Sequence, residues 1–185
     1  HKEWPLNANV LDEVLKPLRM VERDALWTTY ISGNAIANDY LMELVEWGHS
    51  VSDDVVAHLD KDMLILICRQ LIWTLTTTNL ALRDKTTHAL VNLLRNQQNC
   101  LLQCINDYYN VDDDYIVERL FAVAFGCCTG NQSKEYVASV AQTTYNCLFK
   151  DGEPRENILV RDYGKCIIDY ALYLDCQVDI DMKNV

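Results

Sequence analysis

Apolar and small side chains fall at Leu82, Thr86, Ala89, Leu90, Leu93 and Leu94, the alternating three- and four-residue spacing that lines one face of a helix. The same period returns at Ile116, Val117, Leu120, Phe121 and Ala124, and again at Val137, Val140, Ala141, Thr144 and Leu148. A longer stripe of Leu159, Tyr163, Cys166, Ile167, Tyr170, Ala171 and Leu174 predicts a final helix, with Gly164 allowing close approach of a neighbour. The run from Met63 to Leu75 is apolar almost throughout. It is interrupted by Arg69 and Gln70 and is shorter than the roughly 20 residues a bilayer span needs, so it reads as the most buried helix of a core.

Capping chemistry divides these stripes. Asn9 is placed to cap a helix over 10–15 that Pro17 ends, because the residue before a proline is pushed out of the α region. A helix over 21–31 starts acidic at Glu22 and Asp24 and stops at Gly33-Asn34, and another over 39–47 stops at Gly48. Ser52 opens a single turn, Asp60 opens the apolar helix, and Thr76 to Asn79 break the pattern before the next one. A short link at 96–98 leads to a helix over 99–108, and an acidic triplet, Asp112 to Asp114, caps the next, which Gly126 ends. Ser133 caps its successor, and 150–154 (Lys-Asp-Gly-Glu-Pro) form a loop. The tail 175–185 alternates apolar and acidic residues and reads equally as a short strand or a frayed end. About nine helices and no convincing strand pair give an all-α fold.

Three apolar helices carry an arginine beside an acid: Arg83-Asp84, Glu118-Arg119 and Arg161-Asp162. From Arg83 to Arg119 is 36 residues and from Arg119 to Arg161 is 42, each about one helical hairpin. The chain therefore reads as an irregular HEAT- or armadillo-like superhelix of α-α hairpins, with a compact irregular bundle as the alternative, and with 9–174 as one domain, 1–8 as a leading segment and 175–185 as a tail. The leading His1 and Trp4-Pro5-Leu6 suggest a chain that begins inside a larger polypeptide. The Arg and acid pairs are read as a structural ladder between hairpins, since a planar guanidinium serves a carboxylate and helix carbonyls together. Trp47, Tyr108, Tyr109 and Tyr115, at helix ends or loops, are the candidates for contact with a partner.

Composition narrows function more than it names it. The 185 residues are 50% hydrophobic, enough for a core, and carry a formal net charge of −11, which argues against an extended nucleic-acid footprint. Eight cysteines sit mostly inside apolar helical stretches, which favours reduced thiols and a cytoplasmic location. Cys100 and Cys104 share a helical face but lack a second pair for zinc, and Cys127-Cys128 is a strained geometry for a disulfide. Asp112 to Asp114 lack the later ligands and central glycine of a calcium loop, and six dispersed glycines supply no phosphate loop. No metal, cofactor or catalytic residue is expected. Two functions remain: a non-catalytic module that binds protein, and a small all-α enzyme with an Asp, Glu or His pocket between helices.

The phrases LKPLRMVERDALW (15–27), TTNLALRDKTTHAL (77–90), ERLFAVAFG (118–126) and ILVRDY (158–163) resemble, as a set, the helical region of bacterial antiviral STAND NTPases, large NACHT-like defence proteins. Thr86 departs from that pattern, where a small apolar residue is expected, and the effector and nucleotide-binding motifs are absent. The resemblance implies a helical sensor-side segment whose partner is a phage protein or other domains of the same chain and carries over no catalytic residue; charge and the short apolar run separately predict no nucleic-acid or membrane partner.

Overall fold

The computed structural model describes residues 3, 6–34, 39–131, 133–153 and 155–185, so His1, Trp4, Pro5 and Pro154 lie outside the described residues. In chain order the helices are α1 (Ala8–Leu15), α2 (Met20–Arg23), a π-helical turn (Asp24–Thr28), α3 (Thr29–Asn34), α4 (Asp39–Ser50), α5 (Asp53–His58) and α6 (Lys61–Thr74). They continue as α7 (Leu80–Leu94), α8 (Gln98–Tyr108), α9 (Asp114–Thr129), α10 (Lys134–Leu148) and α11 (Ile158–Tyr173). The fold is all-α, and no strand forms among the described residues.

Side-chain caps set most starts. Asp60 accepts from the Met63 amide, Asn79 from Leu82, Asp113 from Tyr115 and Ile116, and Ser133 from Tyr136. At α1 the cap is Asn7, whose side chain accepts from the Asn9 amide, so the helix begins earlier than Asn9 as a cap would place it. The helix expected over 21–31 is instead α2 and α3 joined through the π turn, an extra residue per turn that shifts the faces on its two sides.

Gly126 lies inside α9 rather than ending it: a Cβ there would stand 2.9 Å from Val91 Cγ2, so its absence lets α7 and α9 pack closely. Gly48 likewise sits within α4. Gly164 does allow a close neighbour, as its missing Cβ would meet Leu148 Cδ1 at 2.8 Å and Phe149 Cε2 at 2.9 Å. The buried face of α11 is Val160, Gly164, Ile167, Ile168 and Ala171, rotated from the expected stripe, and Leu159 is 46% exposed.

The helices pack as two rows. α4, α7, α9 and α11 are successive neighbours in one; α1, α6, α8 and α10 are successive neighbours in the other; α6 with α7, α8 with α9 and α10 with α11 cross between them. Side-chain bonds between neighbours span similar stretches of chain. Asn92 Nδ2 donates to the Gly48 and Val51 carbonyls at the end of α4 (3.0 and 2.8 Å), and Asn131 Nδ2 donates to the Arg95 carbonyl at the end of α7 (2.8 Å). Each asparagine satisfies carbonyls that its neighbour's helix end leaves open.

The tail is neither a strand nor frayed. Asp175 takes a left-handed φ of 53°, its amide bonds to the Leu172 carbonyl (3.0 Å), and the Cys176 amide reaches back to Ala171 (2.9 Å), which closes α11 with a Schellman turn. Gln142 on α10 then holds the Asp179 backbone from both sides, accepting from its amide (2.7 Å) and donating to its carbonyl (2.9 Å). Val178 and Ile180 pack on the core behind that clamp.

Candidate functional site

The most concentrated polar chemistry of the molecule is buried where the first helices meet the two rows. Arg23, wholly buried, closes α2 immediately before the π turn. Its guanidinium donates to the carbonyls of Leu15 (3.2 Å), Leu18 (2.6 Å) and Asp112 (3.1 Å), pairs with Asp113 Oδ2 (3.0 Å) and stands 5.2 Å from the centre of the Trp73 ring. Asp113 thus joins a buried ion pair with one oxygen while it caps α9 with the other. Burial pushes its carboxyl up from the usual range, opposed by the Ile116 amide and the Arg23 charge.

A second cluster surrounds Asp12 of α1. Trp73 Nε1 donates to Oδ1 (2.7 Å) and the Tyr108 hydroxyl donates to the same oxygen, while Lys16 Nζ and Arg69 Nε each approach Oδ2 at 3.2 Å. Arg69 continues to Asp107 (3.1 Å) and to the Asn9 side chain. With both oxygens engaged, Asp12 ties α1 to α6 and α8. That arrangement suits holding helices rather than moving a proton, since a general base needs an oxygen open to substrate. Tyr108 is therefore corrected from a partner-contact candidate: it is wholly buried, with Lys16 Nζ over its ring at 4.3 Å and Trp73 edge-on at 5.7 Å.

Of the ladder candidates, Asp84 on α7 and Arg119 on α9 meet at 2.6 Å, and Arg119 also lies 3.6 Å from Glu118. Arg83 takes a different place: its guanidinium stacks 4.6 Å from the centre of the Tyr115 ring, and it makes no ion pair among the described residues. Arg161 and Asp162 are exposed on α11 and likewise join no ion pair among the described residues, so the ladder has no rung at α11. The reason is rotation, because the buried face of α11 turns both side chains outward. A double-mutant cycle on Asp84→Ala and Arg119→Ala is expected to return a coupling of about 0.2–1 kcal/mol, given how exposed Asp84 is, and Arg161→Ala should stay within about 0.5 kcal/mol of the parent. Urea denaturation of the four proteins and of R161A checks both; zero coupling would remove the rung.

Trp47 and Tyr109 are half-buried against the core, and the Tyr109 carbonyl accepts from Arg155 (3.3 Å). Tyr115 is 46% exposed and walls a cleft of about 500 Å³ between the π turn and the α6–α7 connection. Asp24, Thr28, Ser32, Thr76 and Thr78 also line it, and the Thr28 hydroxyl, buried beside it, has no hydrogen-bond partner. The cleft is thus lined by hydroxyls and one carboxylate, Asp24.

The cysteines are all free thiols, and six of the eight are buried. Burial holds the Cys128 thiol up at about 12 and the Cys147 thiol at about 11, well above the range in which a thiolate forms at neutral pH. His49 and His88, distant in sequence, come edge-on at 6.2 Å, but no group of three His, Cys, Asp or Glu that could hold a metal ion occurs among the described residues. No described helix is long and apolar enough to cross a membrane.

Local patterns place a cap within Asp112 to Asp114 and leave the buried partner of Asp113 unseen, because Arg23 lies ninety residues away in a segment whose charges read as a helix start. Asp12 gives no sequence signal beyond a single acid beside an apolar position. Comparison of the chain with family models and with curated proteins finds no match to either.

Proposed function

We propose that this chain is a non-catalytic α-helical module that binds protein, built from irregular, HEAT-like stacked hairpins. The observation that carries the reading is the two-row stack whose neighbouring helices are tied by side-chain bonds across 35 to 44 residues of chain: Gly48 to Asn92, Arg69 to Asp107, Asp84 to Arg119, Asn106 to Cys147. A stack of that kind supports an extended surface while each hairpin is held by its neighbours. Its densest polar clusters, at Arg23 and Asp12, are spent on holding helices together.

The four phrases resembling the helical region of antiviral STAND NTPases support placing the module on the sensor side of such a protein, in the cytoplasm, with a phage protein or another domain of the same polypeptide as its partner. The free thiols are compatible with a reducing compartment. The test joins capture to mapping. The purified chain is used to capture proteins from phage-infected bacteria, and hydrogen exchange then locates the footprint on it. Protection across exposed helix faces, together with no ATP hydrolysis by the chain, is the expected result. ATP turnover abolished by a single substitution in this chain, such as Asp24→Asn, would overturn the reading in favour of an enzyme.

A further inference from the structure

Resting on that reading, we infer that the outward seam of α11 is a docking face for an amphipathic helix of another protein, one that carries lysine or arginine beside its apolar stripe. α11 has two apolar faces. The inner one, centred on Ile167, is buried against α9 and α10. The second runs Leu159, Tyr163, Cys166, Tyr170 and Tyr173, steps of four, three, four and three residues, the spacing with which one helix receives another. Leu159 is 46% and Tyr173 81% exposed, and the three between are half-buried, Tyr163 and Tyr170 with one side against the core. The 16 residues of the helix give about 24 Å of seam, long enough for two heptads.

The chemistry beside the seam selects the occupant. Asp162 and Asp169 are exposed along its outer border, and after burial their charge pushes up the Cys166 thiol at its centre, opposed by Lys165. Lys165 pairs with Asp169 at 3.4 Å, and Asp162 joins no ion pair among the described residues. Tyr170 and Tyr173 stack at 6.4 Å, and Tyr163 extends the aromatic surface to Phe125 of α9, also at 6.4 Å. Tyrosine faces beside carboxylates attract ammonium and guanidinium groups, while the leucine and ring edges cover apolar side chains. A second copy fits poorly. A two-fold pairing across Cys166 sets each acidic border against its own kind, and each chain brings a net charge of −11.

The probe is a synthetic helix of about 18 residues with leucines at the same alternating spacing and lysines on both flanks; its twin carries glutamates instead. Fluorescence anisotropy with the full chain is expected to show the lysine helix binding at least about tenfold tighter than the twin. The pair Leu159→Ser with Tyr173→Ser, and separately Asp162→Lys with Asp169→Lys, should each weaken it at least about tenfold. Asp54→Lys with Glu135→Lys, which changes the same charge on exposed positions of α5 and α10, should not. All these positions are exposed, and unchanged melting temperatures establish that the variants fold. Equal binding by parent and seam variants, equal loss in the control pair, or a dimer of the chain that the seam serines dissolve would each overturn the proposal. A phage-protein footprint on another helix face would sink the seam and leave the interaction module standing, whereas catalytic turnover would remove the module itself.

Discussion

Arg23→Met is expected to lower the unfolding free energy by about 3–5 kcal/mol at neutral pH, the range seen when one member of a buried ion pair is removed. Methionine keeps most of the volume against Trp73 but takes away a charge and four donated contacts. The carbonyls of Leu18 and Asp112 lose their side-chain donor, that of Leu15 keeps only the Leu18 amide, and Asp113 keeps only the two amides of its cap. The loss should depend on pH in a definite sense. Without the guanidinium, the Asp113 carboxyl of the folded variant holds its proton more tightly than in the unfolded chain. A carboxyl raised on folding costs stability as pH rises from its unfolded value, about 3.9, through its folded value, and the cost is level above that. The deficit against the parent should therefore be smaller near pH 4 than at pH 7 in urea denaturation. Arg23→Met with Asp113→Asn should recover part of it, since asparagine still accepts from Tyr115 and Ile116. Arg23→Lys should not, because one ammonium cannot reach carbonyls arranged around a planar fork. A loss under about 1 kcal/mol, or one indifferent to pH, would show that the pair is not what holds α2 to the start of α9.

The contrast between what the residues announce and what they conceal follows from range. The buried side chains of α7 are Leu82, Thr86, Ala89, Leu90, Leu93 and Leu94, all legible as one stripe because a helix face repeats within a dozen residues. Asp60 and Ser133 are legible for the same reason, since a cap bonds two or three residues on, while Asn79 and Asp113 stand out only within a pattern break and an acidic triplet. Tyr108 misleads because a helix end looks like a surface in isolation; in a two-row stack the end of α8 points at Asp12 and Trp73, 96 and 35 residues away in the chain. α11 misleads differently. Its two apolar faces overlap in spacing, and the one that turns inward carries Gly164, closely packed against Leu148 and Phe149. Asn92 and Asn131 read as ordinary polar residues, yet each closes its neighbour's helix end. Their role needs the register of two hairpins, which no local pattern contains.

Asp12→Ala should cost about 2–5 kcal/mol and act first on α1. The substitution removes the acceptor of Trp73 Nε1 and of the Tyr108 hydroxyl, and each buried donor left without a partner costs about 1–3 kcal/mol. Arg69 retains Asp107 and Asn9, so its charge stays compensated and the α6–α8 contact survives. What is lost is the tie from Asp12 to both helices, which leaves α1 the bond between Asn9 and Arg69 on α6. Because α1 is the outer member of its row and packs chiefly on α6, its release leaves α7, α9 and α11 with their neighbours intact. Hydrogen exchange should show that polarity: the amides of 8–15 lose protection well before those of 116–128. Adding Trp73→Phe and Tyr108→Phe to Asp12→Ala removes the stranded donors as well, and should restore part of the stability without restoring α1 protection. If α1 and α9 instead lose protection together, Asp12 is part of a single cooperative core, and the stack does not come apart hairpin by hairpin as the proposed module requires.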